Sequence, residues 1–415
     1  MTPRPCDDAR FATRARVVVG WFFAALVAGC APASPPLSDV ASMDAREAAT
    51  GVVEIECTNS TCPTVAIAGE RVASPPFRGV GDPSLEFDPS TSALWLSYSS
   101  LAPYESAGQT LFGVSLALAR SDDGGRTFRK VSDLATVTRT SEPTRMLATM
   151  HEVSTVALGP SGAVAAWLDY TQTFIEGGRD RRADLHLRLA AAPSVDALPA
   201  APPERWLRGT VSGTDDLGRV VLEPPTPVRF DSSIVPGHAC LTFTEPTLYA
   251  SNGRMFLAAN CIRAIAPADY SLELFELDPR APTSARPRWI GTLLDGADAV
   301  ALGATSLEQA DLALARDGSL LLLVTQVTGP LACTGAPTHR GCLVLEVDDI
   351  DRAHVRRGER GPWVRARIGA DMVSTAPGPG LCTYDRNSET GVLIVGTRCG
   401  ANGLTFELRR TGLHP

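Results

Sequence analysis

From residue 82 to residue 409 the chain alternates short apolar and polar runs, and one larger pattern returns five times. A polar or acidic residue opens a strand, a tight turn follows, and a more apolar strand returns. The first unit runs over residues 82–87, turns at 88–92 and returns over 93–98, with further strands at 113–120 and 128–134. The second takes residues 152–158, 163–170, 183–191 and 205–208. The third takes 245–249, 254–260, 271–277 and 288–293, and its first turn is Ser251-Asn252-Gly253. Asn-Gly between apolar runs is a strong hairpin signal. The fourth takes 309–315, 319–324, 342–347 and 363–368, turning at Asp317-Gly318. The fifth takes 380–385, 392–397 and 404–409 and is one strand short. Residues 52–72 hold strand-like stretches without a unit of their own, which leaves them free to pair with the fifth unit and remove an exposed edge. A Pro-rich stretch at 193–236 is either an insertion loop or hides strands around 219–222, which would make six units. No long amphipathic helix is predicted.

One turn is more specific. Residues 121–128 read Ser-Asp-Asp-Gly-Gly-Arg-Thr-Phe. An Asp side chain accepts backbone N–H groups inside such a turn, Gly takes positive φ, and Thr with an aromatic starts the next strand. The stretch resembles the Asp-box of sialidases and related β-propellers, with Ser121, Asp123, Gly125, Thr127 and Phe128 on the pattern. The resemblance, with the repeated units, implies an all-β propeller of four-stranded antiparallel blades, five rather than six, closed by an N-terminal strand. A β-sandwich or jelly roll is the competing fold.

The N-terminus changes where this fold would work. Arg10, Arg14 and Arg16 precede an apolar run at 17–28, too short for a membrane span and suited to a signal peptide. The run ends Leu26-Val27-Ala28-Gly29-Cys30, which resembles a bacterial lipobox with Cys30 as the lipidated residue. The organisation read here is a signal peptide over 1–29, a lipid-anchored tether over 30–51, and the propeller over 52–415. Ala31 after the cysteine implies, by the same resemblance, the outer membrane or cell surface. The net charge is −8, and loss of the cationic leader makes the chain more acidic, a poor footprint for nucleic acid. Eight of the ten cysteines follow Cys30, an even number that suggests disulfides in an exported chain. Neighbours along the chain would pair: Cys57 with Cys62, Cys240 with Cys261, Cys333 with Cys342, and Cys382 with Cys399. No zinc-type spacing occurs, so neither metal nor cofactor is expected.

Three carboxylates open strands of successive units: Asp82 in Gly-Asp-Pro-Ser, Glu152 in His-Glu-Val-Ser and Glu245 in Thr-Glu-Pro-Thr. Glycoside hydrolysis needs such groups, an acid for the leaving oxygen and a carboxylate as nucleophile or base. The placement resembles five-bladed glycosidases of the arabinanase and invertase type, whose base, pKa modulator and acid come from blades one, two and three. The Asp-box points instead to sialidases, which use a Tyr–Glu nucleophile and three arginines on a substrate carboxylate. That resemblance implicates Tyr384 with Glu245, and Arg78, Arg263 and Arg398. The expectation is a monomeric, exo-acting glycoside hydrolase on a carbohydrate ligand; the alternative is a propeller that only binds glycan or protein.

Overall fold

A computed structural model describes residues 52–415, apart from residue 59 and segments 72–77, 107–108, 143–144, 176–179, 209–210, 215–219, 223–233, 238–239, 266–267, 331–336, 370–379 and 401–402. The expected signal peptide and tether, with Cys30, lie outside the described residues.

The chain forms a five-bladed β-propeller. Blade one consists of Arg78–Asp88, Ala93–Ser106, Gln109–Ser121 and Phe128–Ala135, paired antiparallel in chain order. Blade two is Arg145–Gly159, Gly162–Ile175, Asp180–Ala192 and Glu204–Arg208, and blade three is Thr242–Ser251, Arg254–Ile265, Ala268–Leu277 and Arg288–Leu294. Blade four has Ser306–Leu314, Leu320–Pro330, Pro337–Asp349 and Val364–Gly369. Blade five has Gly380–Thr383, Leu393–Gly400 and Gly403–Arg410. Besides a short 3-10 helix, Val195–Ala200, and the last strand of blade two, the Pro-rich stretch holds a small hairpin, Val211–Thr214 with Val220–Leu222, and no sixth blade among the described residues. A six-residue helix, Gly296–Ala301, caps the passage from blade three to blade four.

The segment before blade one ties the ring shut. Val53–Glu56 adds a parallel strand to the outer edge of blade four. Residues 63–65 then run along blade five, with Val65 N–H donating to the Leu408 carbonyl at 2.8 Å and Arg410 N–H to that of Pro63 at 3.1 Å. Ile67–Ala68 ends on the outer strand of blade one. Blades five and one also touch where Thr405 and Phe406 pair with Arg78 and Gly79. Gly79 is required there: its φ is +135°, and a Cβ would stand 1.9 Å from the Phe406 carbonyl oxygen.

Apolar layers fill the gaps between blades. Trp95, Leu118, Val156, Trp167 and Leu198 pack between blades one and two. Trp206 meets Phe275 edge-on at 6.4 Å between blades two and three. The tryptophans therefore serve packing, as a sheet-on-sheet ring demands. The turn over residues 121–128 closes on its own side chains. Asp123 accepts from Thr127 N–H at 3.0 Å and Thr127 Oγ1 at 2.6 Å, while Gly124 and Gly125 take positive φ. Burial pushes the Asp123 carboxyl up, but the Thr127 and Ser121 bonds outweigh it and hold it at about 2.

The cysteine pairing differs in part from expectation. Cys57–Cys62 and Cys240–Cys261 form. Cys342, however, joins Cys382 rather than Cys333, and Cys382 is thus not paired with Cys399. The reason is the layer geometry: Cys342 on the third strand of blade four and the inner strand of blade five face each other, with Cα atoms 6.1 Å apart. Cys333 and the Cys399 side chain lie outside the described residues.

A chain of side chains links the five inner strands around the axis. Ser84 Oγ donates to Thr155 Oγ1 at 3.1 Å, and Leu248 N–H donates to the same Thr155 oxygen at 3.1 Å. Thr247 Oγ1 reaches Asp311 at 3.3 Å, Thr383 Oγ1 donates to Asp311 at 2.6 Å, and Leu85 N–H donates to Thr383 at 2.9 Å. Thr155→Val keeps the shape but leaves the buried Leu248 N–H and Ser84 hydroxyl without their shared acceptor. It should lower stability by about 1–3 kcal/mol. Denaturant unfolding of the variant beside the parent checks this, and an unchanged midpoint would show that the ring is dispensable.

Candidate active site

Every inner strand carries one bulge at the same level. Pairing with the second strand slips between Gly81 and Ser84, Glu152 and Thr155, Thr244 and Thr247, Glu308 and Asp311, and Gly380 and Cys382. At each slip one residue adopts a left-handed backbone: Asp82 (φ 49°), Val153 (50°), Glu245 (52°), Gln309 (44°) and Leu381 (58°). None is glycine, so each costs of order 1–2 kcal/mol that the surrounding sheet must offset. The site therefore sits within the inner strands and not at their starts, because these strands run on past the bulge level.

The bulges line a narrow axial cleft, walled by Asp82, Ser84, Thr155, Thr247, Gln309 and Asp311 among others. Asp82 accepts from Ser99 Oγ and from the Gln309 side-chain amide. Glu245 accepts from the Asn260 amide and, at 2.7 Å, from the Gln309 backbone N–H. Ser99 and Asn260 occupy matching places, each opposite the residue before a bulge. One glutamine thus holds both carboxylates.

Both carboxylates are buried, Asp82 being 3% exposed and Glu245 1%. Burial raises Asp82 above the usual range, opposed by the Ser99 and Gln309 bonds. Glu245 is raised further: burial is the main cause, the Glu308 carboxylate adds to it, and the Gln309 N–H opposes it. Glu308 is itself buried, accepts from Ser306 Oγ at 3.1 Å, and faces His339 Nε2 at 3.9 Å.

Not every residue marked by sequence reaches this place. Glu152 falls one residue before its bulge, so Val153 takes the position matching Asp82 and Glu245. The Glu152 side chain turns into its own blade, where Tyr170 Oη donates to it at 2.7 Å. Tyr384 follows the ring residue Thr383, and strand alternation sends it into the layer between blades four and five, edge-on to His414 at 6.2 Å. Arg78 and Arg263 are part-exposed and outside the cavity wall. The Arg398 side chain lies outside the described residues; its backbone pairs with Thr405. The sequence reading passed over Glu308, Gln309, Asp311 and His339. One signal was available: Gln309-Ala310-Asp311 aligns with Asp82-Pro83-Ser84 and Glu245-Pro246-Thr247. No group of residues fit to hold a metal ion occurs among the described residues.

No protein-family model matches the sequence, and comparison with curated proteins finds no match. Among solved structures, the chain is similar to a protein of unknown function from Dyadobacter fermentans, with TM-score 0.44, 10% identity, and coverage of 84% of this chain and 99% of that one. It is similar to the catalytic domain of an α-L-arabinofuranosidase from Coprinopsis cinerea, with TM-score 0.40, 11% identity, and coverage of 84% and 96%. It is also similar to an α-L-arabinanase from Penicillium chrysogenum, with TM-score 0.40, 12% identity, and coverage of 86% and 100%. All three likenesses are remote; the strand pairings described above establish the fold.

Asp311 offers a test of how dry the axis is. Burial pushes its carboxyl up to about 7, against hydrogen bonds from Thr383, Tyr384 and Thr247. The folded state therefore holds this proton more tightly than the unfolded chain. The resulting stability is fully present below about pH 4 and is lost as pH rises to about 7. Asp311→Asn copies the protonated form, its oxygen accepting from Thr383 and Tyr384 and its amide facing Thr247. The thermal midpoint of the variant should fall less than that of the parent between about pH 5 and about pH 8. Identical slopes would mean that Asp311 titrates as a solvated carboxylate.

Proposed function

We propose that the protein is an exo-acting glycoside hydrolase with Glu245 as general acid and Asp82 as base or nucleophile. The observation that carries this reading is Gln309, which fixes carboxylates from blades one and three with its two amide groups. The pair is differentiated: Glu245 is raised well above the usual carboxylate range and Asp82 less so. The group that keeps its proton at neutral pH can give it to the leaving glycosidic oxygen. The more acidic group can take a proton from the attacking water or attack the sugar itself. Neither Arg78 nor Arg263 lines the cavity, so a neutral sugar fits it better than the anionic one a sialidase takes.

One observation favours a second reading, a propeller that binds glycan or protein without cleaving it. Asp82 and Glu245 are almost wholly buried and already hydrogen-bonded. A panel of fluorogenic arabinofuranosides, xylosides, fructosides and sialosides separates the two. The expected result is turnover of one neutral sugar class, reduced at least about 100-fold by Glu245→Gln. Glycan binding without turnover across the panel would support the binding propeller instead.

The chain is also proposed to be exported and anchored through Cys30 to the outer membrane, in keeping with its leader and its disulfides. Cys30→Ser should shift the protein from the membrane fraction to the soluble one, read by fractionation and by the mass of the N-terminal peptide. A parent protein without lipid on Cys30 would refute the anchor.

A further inference from the structure

The joint between blades one and two carries a cluster of side chains that the axial site does not use. Blade one ends at Ala135. After two residues the chain enters Thr138–Glu142, a strand that pairs antiparallel with residues 145–149 on the free edge of blade two's inner strand. The two link residues are held from both sides. Val137 N–H donates to Ser115 Oγ of blade one at 3.1 Å, and the Thr136 carbonyl oxygen stands 3.1 Å from His151 Nε2 of blade two. Nδ1 of the same ring bonds to Asp169, its register partner on the second strand. His151 and Asp169 are both buried.

A neutral imidazole has one N–H, while a carbonyl oxygen and an ionised carboxylate only accept. His151 therefore makes both bonds at once only as the imidazolium. The surroundings decide which bond survives the loss of a proton. Asp169 also accepts from Trp167 Nε1 at 2.8 Å and from Arg188 Nε at 2.7 Å. Burial pushes the Asp169 carboxyl up, but the bond and charge of His151 and the Arg188 guanidinium outweigh it and hold it at about 2. Asp169 stays ionised and keeps the last ring proton on Nδ1. The lone pair of Nε2 then faces the lone pairs of the Thr136 carbonyl, and the link bond is the one lost.

We propose that His151 is a pH-sensitive clamp on this joint, closed as the imidazolium and released when Nε2 gives up its proton. The clamp is independent of whether the axial site cleaves a ligand or only binds it. Around the ring stand Asp169 from the second strand and, behind it, Arg188 and His186 from the third, with His186 Nε2 3.8 Å from Asp169. The edge strand pairs no further than Thr149, and its Arg139 is exposed. The neighbouring Glu152 is bonded to Tyr170. A bond made only by the protonated ring stabilises the fold at low pH and is lost as pH rises through the histidine range. The clamp reaches the site through the backbone. Val153, two residues on, donates its N–H to Ser99 Oγ at 3.2 Å, and Ser99 holds Asp82. Release of the joint loosens that support.

The test follows the purified protein by nitrogen-15 NMR from about pH 5 to about pH 9, with the His151 ring assigned by its loss in His151→Gln. At the acid end both ring nitrogens should carry protons, and at the basic end the one left should sit on Nδ1. At the same midpoint the Val137 amide should lose exchange protection roughly tenfold, and the Val153 amide signal should move with it. His151→Gln should show no such step. Should it fail to fold, Asp169→Asn removes the charge that favours the imidazolium and should bring the release to lower pH. A ring that is neutral across the range, a last proton on Nε2, or Val137 and Val153 amides that do not follow the ring would overturn the proposal.

Discussion

Five inner strands converge on one axis, and the hydrogen-bonded ring of Ser84, Thr155, Thr247, Asp311 and Thr383 holds them at a common height. A propeller has no core at its centre. The blades pack against one another sideways, and the axis is where their polar backbones come closest. Buried N–H groups there must find acceptors. The ring provides them: Leu85 N–H uses Thr383, Leu248 N–H uses Thr155, and Tyr384 N–H uses Asp311. Small hydroxyl side chains suit this place, because five strands leave no room for more. The single carboxylate, Asp311, takes bonds from both neighbouring blades, which ties it to the raised carboxyl that burial imposes.

The ring also dictates where chemistry can sit. The ring residues lie two positions after the left-handed residues of the bulges in all five blades. Fixing the former therefore fixes the latter. Asp82, Glu245 and Gln309 hold strained backbones because the ring and the second strands leave them no alternative. Their side chains then meet above the ring with little freedom, which is the preorganisation that electrostatic catalysis needs. The same closeness desolvates the carboxylates and separates their protonation behaviour. Architecture and acidity thus have one cause.

Much of the fold was legible because its signals are local. Period-two alternation, Asn252-Gly253, Asp317-Gly318 and the turn at residues 121–128 each act over a few residues, and they located the hairpins of the blades. Asp82 and Glu245 were legible for the same reason, since Pro83 and Pro246 punctuate their strands after them. What was not legible depends on register and on contacts between blades. Nothing in His-Glu-Val-Ser tells whether the bulge falls on Glu152 or Val153, and one residue of slip turns the carboxylate into the blade. Tyr384 went astray by the same parity. Gln309 was overlooked because an amide is not a usual marker of catalysis, although its neighbours Glu308 and Asp311 are acidic. Cys342 and Cys382 belong to different blades, so spacing along the chain could not pair them.

The ring is closed by a segment that belongs to no blade. A propeller whose last blade lacks a strand would expose an edge and could splay open between its first and last blades. Here the segment before blade one supplies that strand, then continues to blade one, with Arg409 buried beneath it and bonded to the Cys62 carbonyl at 2.9 Å. Cys57–Cys62 shapes the turn of this strap, and Cys342–Cys382 joins blade four to blade five. Two of the three disulfides among the described residues therefore stand around the same blade. Blade five is also the one with a short inner strand of four residues, Gly380–Thr383, and so has the least pairing of its own. Covalent links and a borrowed strand are concentrated where the sheet is thinnest.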